Sequence, residues 1–183
     1  MTGSKKLWVS VILLTSWCVS AAIAFWWFQG RLIQPFVDDL SLYAPLAQQQ
    51  APLPQPAPGQ ITVVQFVDDD CYCSRVNQEH RQRIRQAYPG EVAFYEVHAD
   101  RPLPADLAPL MQKKPAISRV PAALVLDQQG KLEYFGPYAF GTGCFTGDGT
   151  FVERAIDRVI SKRSRPQINV LGNGCFCDWK YNA

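Results

Sequence analysis

The sequence predicts an α/β domain with a mixed central sheet and helices on both faces, preceded by one transmembrane helix. Two observations predict it. Residues 7–28 contain no charged residue and are long enough to cross ~30 Å of hydrocarbon as a helix. From residue 61 onward, strand-like and helix-like patterns follow in the order βα, βα, ββα. This order is typical of a sheet with parallel strands at its centre and an antiparallel hairpin at one side.

The N-terminal segment predicts a membrane anchor. Lys5 and Lys6 lie before the apolar run and only Arg31 lies close behind it, so residues 1–6 are expected in the cytoplasm. The remaining chain is then extracytoplasmic, where disulfides persist. A cleaved signal peptide is the alternative, because Ala22-Ile23-Ala24 has the small-x-small form of a cleavage site. Both interpretations place the domain in the same compartment, which for an inner-membrane protein is the periplasm.

Two segments separate this anchor from the predicted domain. Residues 29–47 carry apolar side chains near helical spacing, interrupted by prolines, which indicates an amphipathic juxtamembrane segment. Residues 48–60 are rich in proline and glutamine and predict an extended linker. The folded domain is expected at residues 61–163, and residues 164–183 form a cysteine-containing tail.

The elements of the domain follow from apolar periodicity and from turn residues. In chain order, the predictions are a buried strand at 61–67, a helix at 73–88, a strand at 91–98, a short helix within 105–114, a hairpin of strands 122–127 and 131–136, and an amphipathic helix within 149–163, whose apolar positions lie between 151 and 160. In such sheets the catalytic and ligand-binding residues lie at the carboxyl ends of the parallel strands. Cys71 follows the first strand of the domain, and His98 ends the second.

Charge and composition narrow the function classes. The net charge of the chain is +2, which gives no reason to expect a nucleic-acid partner. Of its six cysteines, Cys18 lies inside the apolar run and is expected to pack there. The other five lie outside the predicted membrane segment: Cys71, Cys73, Cys144, Cys175 and Cys177.

Two stretches, "FVDDDCYCS" and "RVPAALVLD", resemble the thioredoxin-like superfamily in its membrane-tethered, extracytoplasmic bacterial branch, over about residues 61–163. Pro121 stands where that family has its cis-proline. The resemblance implies that Val120 and Pro121 bind an extended substrate peptide beside the cysteines. It implies thiol–disulfide exchange with extracytoplasmic protein thiols and disulfides, served by a membrane thiol reductase and needing no cofactor.

The sequence departs from the family pattern at three places. One residue separates Cys71 from Cys73 instead of two, and Ser74 stands where the second cysteine would align. Asp70 replaces the aromatic residue that commonly precedes the first cysteine. Gln65 replaces a buried carboxylate that assists proton transfer in thioredoxins.

The local chemistry favours a redox role for the C-x-C pair. A thiolate at a helix N-terminus is stabilised, so Cys71 is the expected nucleophile and Cys73 the resolving thiol. Asp70 and the two aspartates before it oppose the thiolate by charge. His98 is an accessory candidate that could assist proton transfer.

Three alternatives remain open from the residues alone. Cys71, Cys73 and His98 could bind copper or zinc, with Cys144 and the second C-x-C pair, Cys175 and Cys177, as further soft ligands. A bond from Cys144 to Cys175 or Cys177 could instead pin the tail to the domain. The third alternative is a non-catalytic interaction domain.

Overall fold

The computed structural model describes residues 2–28, 30, 33–37, 53–108, 117–138 and 150–180. Its helices are α1 (Thr2–Phe28), α2 (Tyr72–Val76), α3 (Gln78–Ala87) and α4 (Phe151–Ile160), with a 3-10 turn at Ala105–Leu107. Its strands are β1 (Ile33–Pro35), β2 (Ile61–Val67), β3 (Val92–His98), β4 (Arg119–Val120), β5 (Ala122–Leu126), β6 (Leu132–Pro137), β7 (Gln167–Ile168), β8 (Asn173–Cys175) and β9 (Cys177–Asp178).

The central sheet has five strands in the order β3-β2-β5-β6-β7. Strand β2 runs parallel to β3 and antiparallel to β5, β5 and β6 form the antiparallel hairpin, and β7 runs parallel to β6. The predicted mixed α/β architecture is confirmed. Strand β7 comes from the tail and was not predicted, because two residues carry no periodic signal.

The sheet separates two apolar cores because successive side chains of a strand point to opposite faces. Val63 and Val125 lie in the core that also contains Ile84 of α3 and Ile156 of α4. Val64, Phe66, Leu124 and Leu126 lie in the other core. All seven residues of β2 are buried, which accounts for the unbroken apolar run that predicts this strand.

The second face is covered by more than one part of the chain. Its described cover includes Cys73 of α2, the 3-10 turn, and side chains from outside residues 61–163, such as Phe36, Phe176 and Trp179. Residues 109–114 of the helix expected within 105–114 lie outside the described residues. Among the described helices, α3 and α4 contribute to one core, and α2 contributes Cys73 to the other.

Helix α4 begins with a reciprocal cap. Thr150 Oγ1 accepts a hydrogen bond from the backbone N–H of Glu153, whose carboxylate accepts one from the backbone N–H of Thr150. Val152, Ala155, Ile156 and Val159 form its buried stripe, as the amphipathic pattern predicts. The helix thus closes the core beneath β5 and β6.

The folded unit extends beyond the expected boundaries. Strand β1 pairs antiparallel with β8, so a piece of the expected juxtamembrane segment joins a piece of the tail. Leu53, in the expected linker, is buried and donates its N–H to Gly130 at 2.7 Å. Residues 29, 31, 32 and 38–52 of these two segments lie outside the described residues. Leu53 and Phe36 show that apolar residues between prolines can belong to a core.

The N-terminal helix has the length and composition of a membrane span. It is one continuous α-helix, and Ser4–Phe28 is apolar enough to cross a bilayer. Its large side chains are exposed, including Leu13, Trp17 and Ile23. The prediction of an N-terminal helix that is long and apolar enough to cross a membrane is confirmed.

Candidate functional site

Cys71 occupies the junction between strand and helix that the sequence predicts. It is the N-cap residue of α2, directly after the turn that follows β2, and its residue exposure is 3%. Its sulfur is bonded to the sulfur of Cys177, 106 positions later in the chain. The disulfide therefore joins the end of the first sheet strand to the C-terminal tail.

The same tail segment lies against the segment before Pro121. The Val120–Pro121 peptide bond is cis, as the resemblance implies. Strand β9 pairs antiparallel with β4, with Cys177 opposite Val120. The Cys71 sulfur lies 4.0 Å from the Val120 carbonyl oxygen. Cys71, Cys177, Val120 and Pro121 thus form one compact site.

This pairing corrects the expected bond between Cys71 and Cys73. Cys73 is fully buried in α2 and is itself disulfide-bonded, with a partner other than Cys71. A bond between the two would close a very short ring, whereas Cys177 approaches from a separate strand and meets Cys71 at a Cα–Cα distance of 5.9 Å.

The bond from Cys144 to Cys177, one of the alternatives for pinning the tail, is not the one that Cys177 forms. Cys177 is bonded to Cys71 rather than to Cys144, which lies outside the described residues. Cys175 is buried in β8, opposite Ile33 of β1. The tail is therefore fixed both by strand pairing and by a disulfide.

The three aspartates shape the turn before Cys71. The side chain of Asp68 accepts a hydrogen bond from the N–H of Asp70 at 2.8 Å, and its carbonyl accepts one from Cys71 at 3.1 Å. Arg75 donates to the carbonyl oxygens of Asp69 and Asp70. Asp68 therefore acts as a turn residue that positions Cys71, a role typical of aspartate.

Ser74 also supports this turn. It is buried, its hydroxyl oxygen accepts a hydrogen bond from the N–H of Asp68 at 3.3 Å, and its carbonyl accepts one from Arg81 at 2.7 Å. The residue that stands where a second cysteine would align is thus a structural anchor. Arg81 in turn lies 3.4 Å from Glu96.

His98 lies in a charged cluster. Its Nδ1 is 3.3 Å from Asp69 and its Nε2 is 3.6 Å from Glu96, while Arg101 contacts both His98 and Asp69. These groups line a polar pocket of about 340 Å³, which Arg81 and other polar residues complete. The structure records contacts of His98 with these charged residues rather than with a cysteine.

Gln65 lies at the centre of the sheet, next to Glu96 on one side and Ala123 on the other. It is 1% exposed, and neither atom of its side-chain amide has a hydrogen-bond partner within the described residues. A buried amide cannot take up or release a proton at neutral pH. The position therefore supplies no acid or base to the site.

Three residues of the site were missed by sequence reasoning: Arg119, Asp178 and Trp179. Arg119 pairs with Asp178, with 2.5 Å between Nη1 and Oδ1, and these residues are opposite each other in the β4–β9 ladder. Trp179 is 3% exposed, donates its backbone N–H to Ser118 at 2.9 Å, and packs against Phe66. The aromatic residue directly after "CD" was a signal that the tail is buried, because a tryptophan is seldom left in water.

The expected metal alternative has no matching cluster in the described ranges. No group of three or more His, Cys, Asp or Glu side chains there is arranged to hold a metal ion. Cys71, the first ligand of the proposed copper or zinc set, has its sulfur in a disulfide. A cysteine ligates metals as the thiolate, so these residues do not fit a resident metal in this oxidised form.

The fold and the site define a mixed α/β domain that follows a long apolar helix in the sequence. A disulfide joins the tail of this domain to Cys71, just after β2. The chain belongs to the family described as a domain of unknown function, DUF6436, whose model matches residues 43–179. That match includes Cys71, Pro121 and the tail through Trp179.

Two solved structures resemble the domain. One is an uncharacterized conserved protein from Geobacillus kaustophilus, with a TM-score of 0.52 and 15% identity, covering 68% of this chain and 78% of that one. The other is a hypothetical protein from Sinorhizobium meliloti 1021, with a TM-score of 0.49 and 14% identity, covering 68% and 81%. The first likeness concerns the fold alone. A search of curated proteins gave no match.

Proposed function

We propose that this protein is a membrane-tethered, thioredoxin-like thiol–disulfide exchange protein that acts on extracytoplasmic protein thiols and disulfides. The single observation that carries the proposal is the Cys71–Cys177 disulfide beside a cis Val120–Pro121 bond. The order of parallel and antiparallel strands around β2 supports the thioredoxin-like assignment. Cys71 is the nucleophile, and Cys177 takes the resolving role first assigned to Cys73.

The two cysteines supply both electrons that reduce a substrate disulfide. In the reduced form, the Cys71 thiolate attacks one sulfur of a substrate disulfide, forming a mixed disulfide and releasing one substrate thiolate. The Cys177 thiolate then attacks the Cys71 sulfur, forming Cys71–Cys177 and releasing the second substrate thiolate. The substrate gains two electrons, the protein loses two, and the released thiolates take protons from water.

The return step begins at the more accessible sulfur. Cys177 is half-buried whereas Cys71 is buried, so an incoming thiolate of a protein dithiol meets the sulfur of Cys177 first. Its attack forms a mixed disulfide with Cys177 and releases Cys71 as a thiolate. The second thiol of the same dithiol completes the reduction, and a membrane thiol reductase is the expected donor.

The disulfide also supports an extracytoplasmic location. Disulfides persist in oxidising compartments and are reduced in the cytosol. With Lys5 and Lys6 before the apolar helix, the proposed topology places the N-terminus in the cytoplasm and the domain in the periplasm. Modification of cysteines in intact spheroplasts by a membrane-impermeant maleimide, after reduction, tests this orientation.

The mechanism is tested by trapping in the full-length protein. Cys177→Ser should accumulate mixed disulfides through Cys71 with periplasmic proteins, seen as reductant-sensitive bands on gels. Cys71→Ser should abolish both these bands and the reduction of a model disulfide. Cys18→Ser, in the membrane helix, is the matched control and should behave as wild type.

Two results would contradict the proposal. One is the absence of any trapped partner in Cys177→Ser together with no exchange activity in the wild type. The other is trapping that persists in Cys71→Ser, which would transfer the nucleophilic role to another cysteine.

A further inference from the structure

The segment Cys177–Trp179 covers Ser118–Val120, the edge before Pro121. Its backbone pairs with β4, and the Asp178 carboxylate meets Arg119. The Trp179 indole enters the core beyond this edge, beside Phe66 of β2. Together with the disulfide to Cys71, these are the interactions that an extended peptide bound at this edge would make.

The segment before it is held independently of Cys177. Strand β8 pairs with β1, and Phe176 is buried with its ring centroid 5.2 Å from that of Phe36. Release of the disulfide therefore needs to displace only the residues from Cys177 onward. The segment that begins at Cys177 can leave the edge while β8 stays paired with β1.

The edge that the segment covers is chemically selective. Arg119 has only 13% of its side chain exposed, and its partner Asp178 is 73% exposed. An arginine fixed at this position favours a bound peptide that has an acidic residue directly after its reacting cysteine, and it disfavours a peptide with a basic residue there. The site of Trp179 is almost completely enclosed, so an aromatic side chain one position further would bury most of its apolar surface there.

We propose that Cys177–Trp179 is an intramolecular pseudo-substrate, and that the edge it covers selects peptides with the order cysteine, acidic residue, aromatic residue. Arg119 is the specificity-determining residue. This inference rests on the proposed function and adds the substrate class to it. In the exchange step, the Cys71 thiolate attacks the cysteine sulfur of a peptide disulfide and the leaving group departs as its thiolate, so atoms and electrons balance.

The test uses full-length protein in detergent with the Cys177→Ser substitution, which removes the resolving thiol. Three peptides, each blocked at both ends and carrying a glutathione mixed disulfide on cysteine, contain Cys-Asp-Trp, Cys-Lys-Trp or Cys-Asp-Ala. Mass spectrometry follows the rate at which each peptide becomes bonded to Cys71. We expect Cys-Asp-Trp to react about fivefold faster than Cys-Lys-Trp. Loss of the tryptophan should slow the reaction by about thirtyfold.

A charge swap tests Arg119 itself. Arg119→Glu combined with Asp178→Arg restores an ion pair between the tail and the edge, so the domain should remain folded by circular dichroism. In this background the preference should invert, and Cys-Lys-Trp should react faster than Cys-Asp-Trp. Arg163→Glu, at an exposed arginine just beyond α4, is the matched control and should keep the wild-type order.

The outcomes separate the two proposals. Equal rates for all three peptides, in both backgrounds, would overturn the selectivity while leaving exchange at Cys71 in place. No reaction with any peptide, and none with free glutathione disulfide, would overturn the proposed function. In that case, the non-covalent affinity of Cys177→Ser for serine analogues of the three peptides tests the selectivity separately. Equal affinities would overturn the selectivity as well. A preference for Ser-Asp-Trp would support it.

Discussion

Trp179 packs edge-on against Phe66, with 5.8 Å between the ring centroids and 72° between the ring planes. Phe66 belongs to β2, an interior strand of the sheet, so this contact connects the last described aromatic residue of the chain to the sheet. It gives the tail a role in the stability of the whole domain.

Replacing Trp179 with alanine should therefore destabilise the domain by about 3 kcal/mol, because it removes a buried indole and leaves a cavity beside Phe66. Urea unfolding of the oxidised protein, followed by circular dichroism, measures the change. Leu171→Ala is the control within the same tail, since Leu171 is 82% exposed and should change stability little. Equal effects of the two substitutions would argue against the buried position of Trp179.

Glu133 should also contribute strongly to the free energy of unfolding. Its side chain is fully buried and accepts hydrogen bonds from Arg158 Nε at 2.9 Å, from Ser164 Oγ at 2.5 Å and from the Arg165 N–H at 3.2 Å. Glu133→Gln keeps the volume but removes the charge, and hydrogen bonds to charged groups contribute about 1.5–3 kcal/mol. We expect a loss of about 2 kcal/mol in urea unfolding. Glu91→Gln, at an exposed position, should be neutral, and a neutral Glu133→Gln would show that the network adds no net stability.

Replacing Gln65 should increase the stability of the domain instead of decreasing it. Because both of its amide atoms are buried without a hydrogen-bond partner in the described part of the chain, replacement by methionine removes an unsatisfied polar group at similar volume. We expect a gain of about 1 kcal/mol, measured as a rise in the thermal midpoint. Gln82→Met on the exposed side of α3 is the control. A fall in the midpoint would indicate that the amide has a partner, such as a buried water.

Stability should fall in alkali because of the buried tyrosines. Burial raises the pKa of Tyr134 and of Tyr138 far above the ordinary value of 10.0. A phenol with a raised pKa in the folded state stabilises the fold fully below pH 10, and that stability is lost as the pH rises above it. Urea unfolding at pH 9 and pH 11 measures the decrease.

The control for this pH effect is Tyr138→Phe, which removes one of the two titrating groups. The drop in stability between pH 9 and pH 11 should become smaller in this variant. Absorbance at 295 nm should show that the remaining buried phenol ionises only on unfolding. Ionisation of all tyrosines near pH 10 in the folded protein would contradict the burial.

The parts of the fold that the sequence predicts are those with a strong local signal. The β-branched run 61–67 forms β2 with the predicted bounds, and the hairpin of β5 and β6 follows from two apolar strands around a glycine turn at Gly130. Strands β7, β8 and β9 could not be predicted, because two or three residues show no periodicity and form only where a partner strand is already present.

The sequence predicts only the part of the site that belongs to the domain, and not the tail residues that contact it. Cys71 and Pro121 follow from the strand before the cysteine and from the motif "RVPAALVLD". The partner of Cys71 could not be deduced, since five cysteines outside the apolar helix allow many pairings and Cys177 is 106 positions away. Arg119 gave no signal for a similar reason, because its role depends on which strand lies opposite.

The pairing of β1 with β8 also limits the distance between the Cys71–Cys177 disulfide and the membrane helix. Only four residues separate Phe28, the last residue of the apolar helix, from Ile33, so this connection spans at most ~18 Å even when fully extended. In the proposed topology, the domain therefore works in the layer of periplasm directly above the lipid headgroups. Its natural clients would be proteins that are themselves anchored in the membrane or that emerge from it, and a client in the outer periplasm would have to diffuse to the bilayer surface.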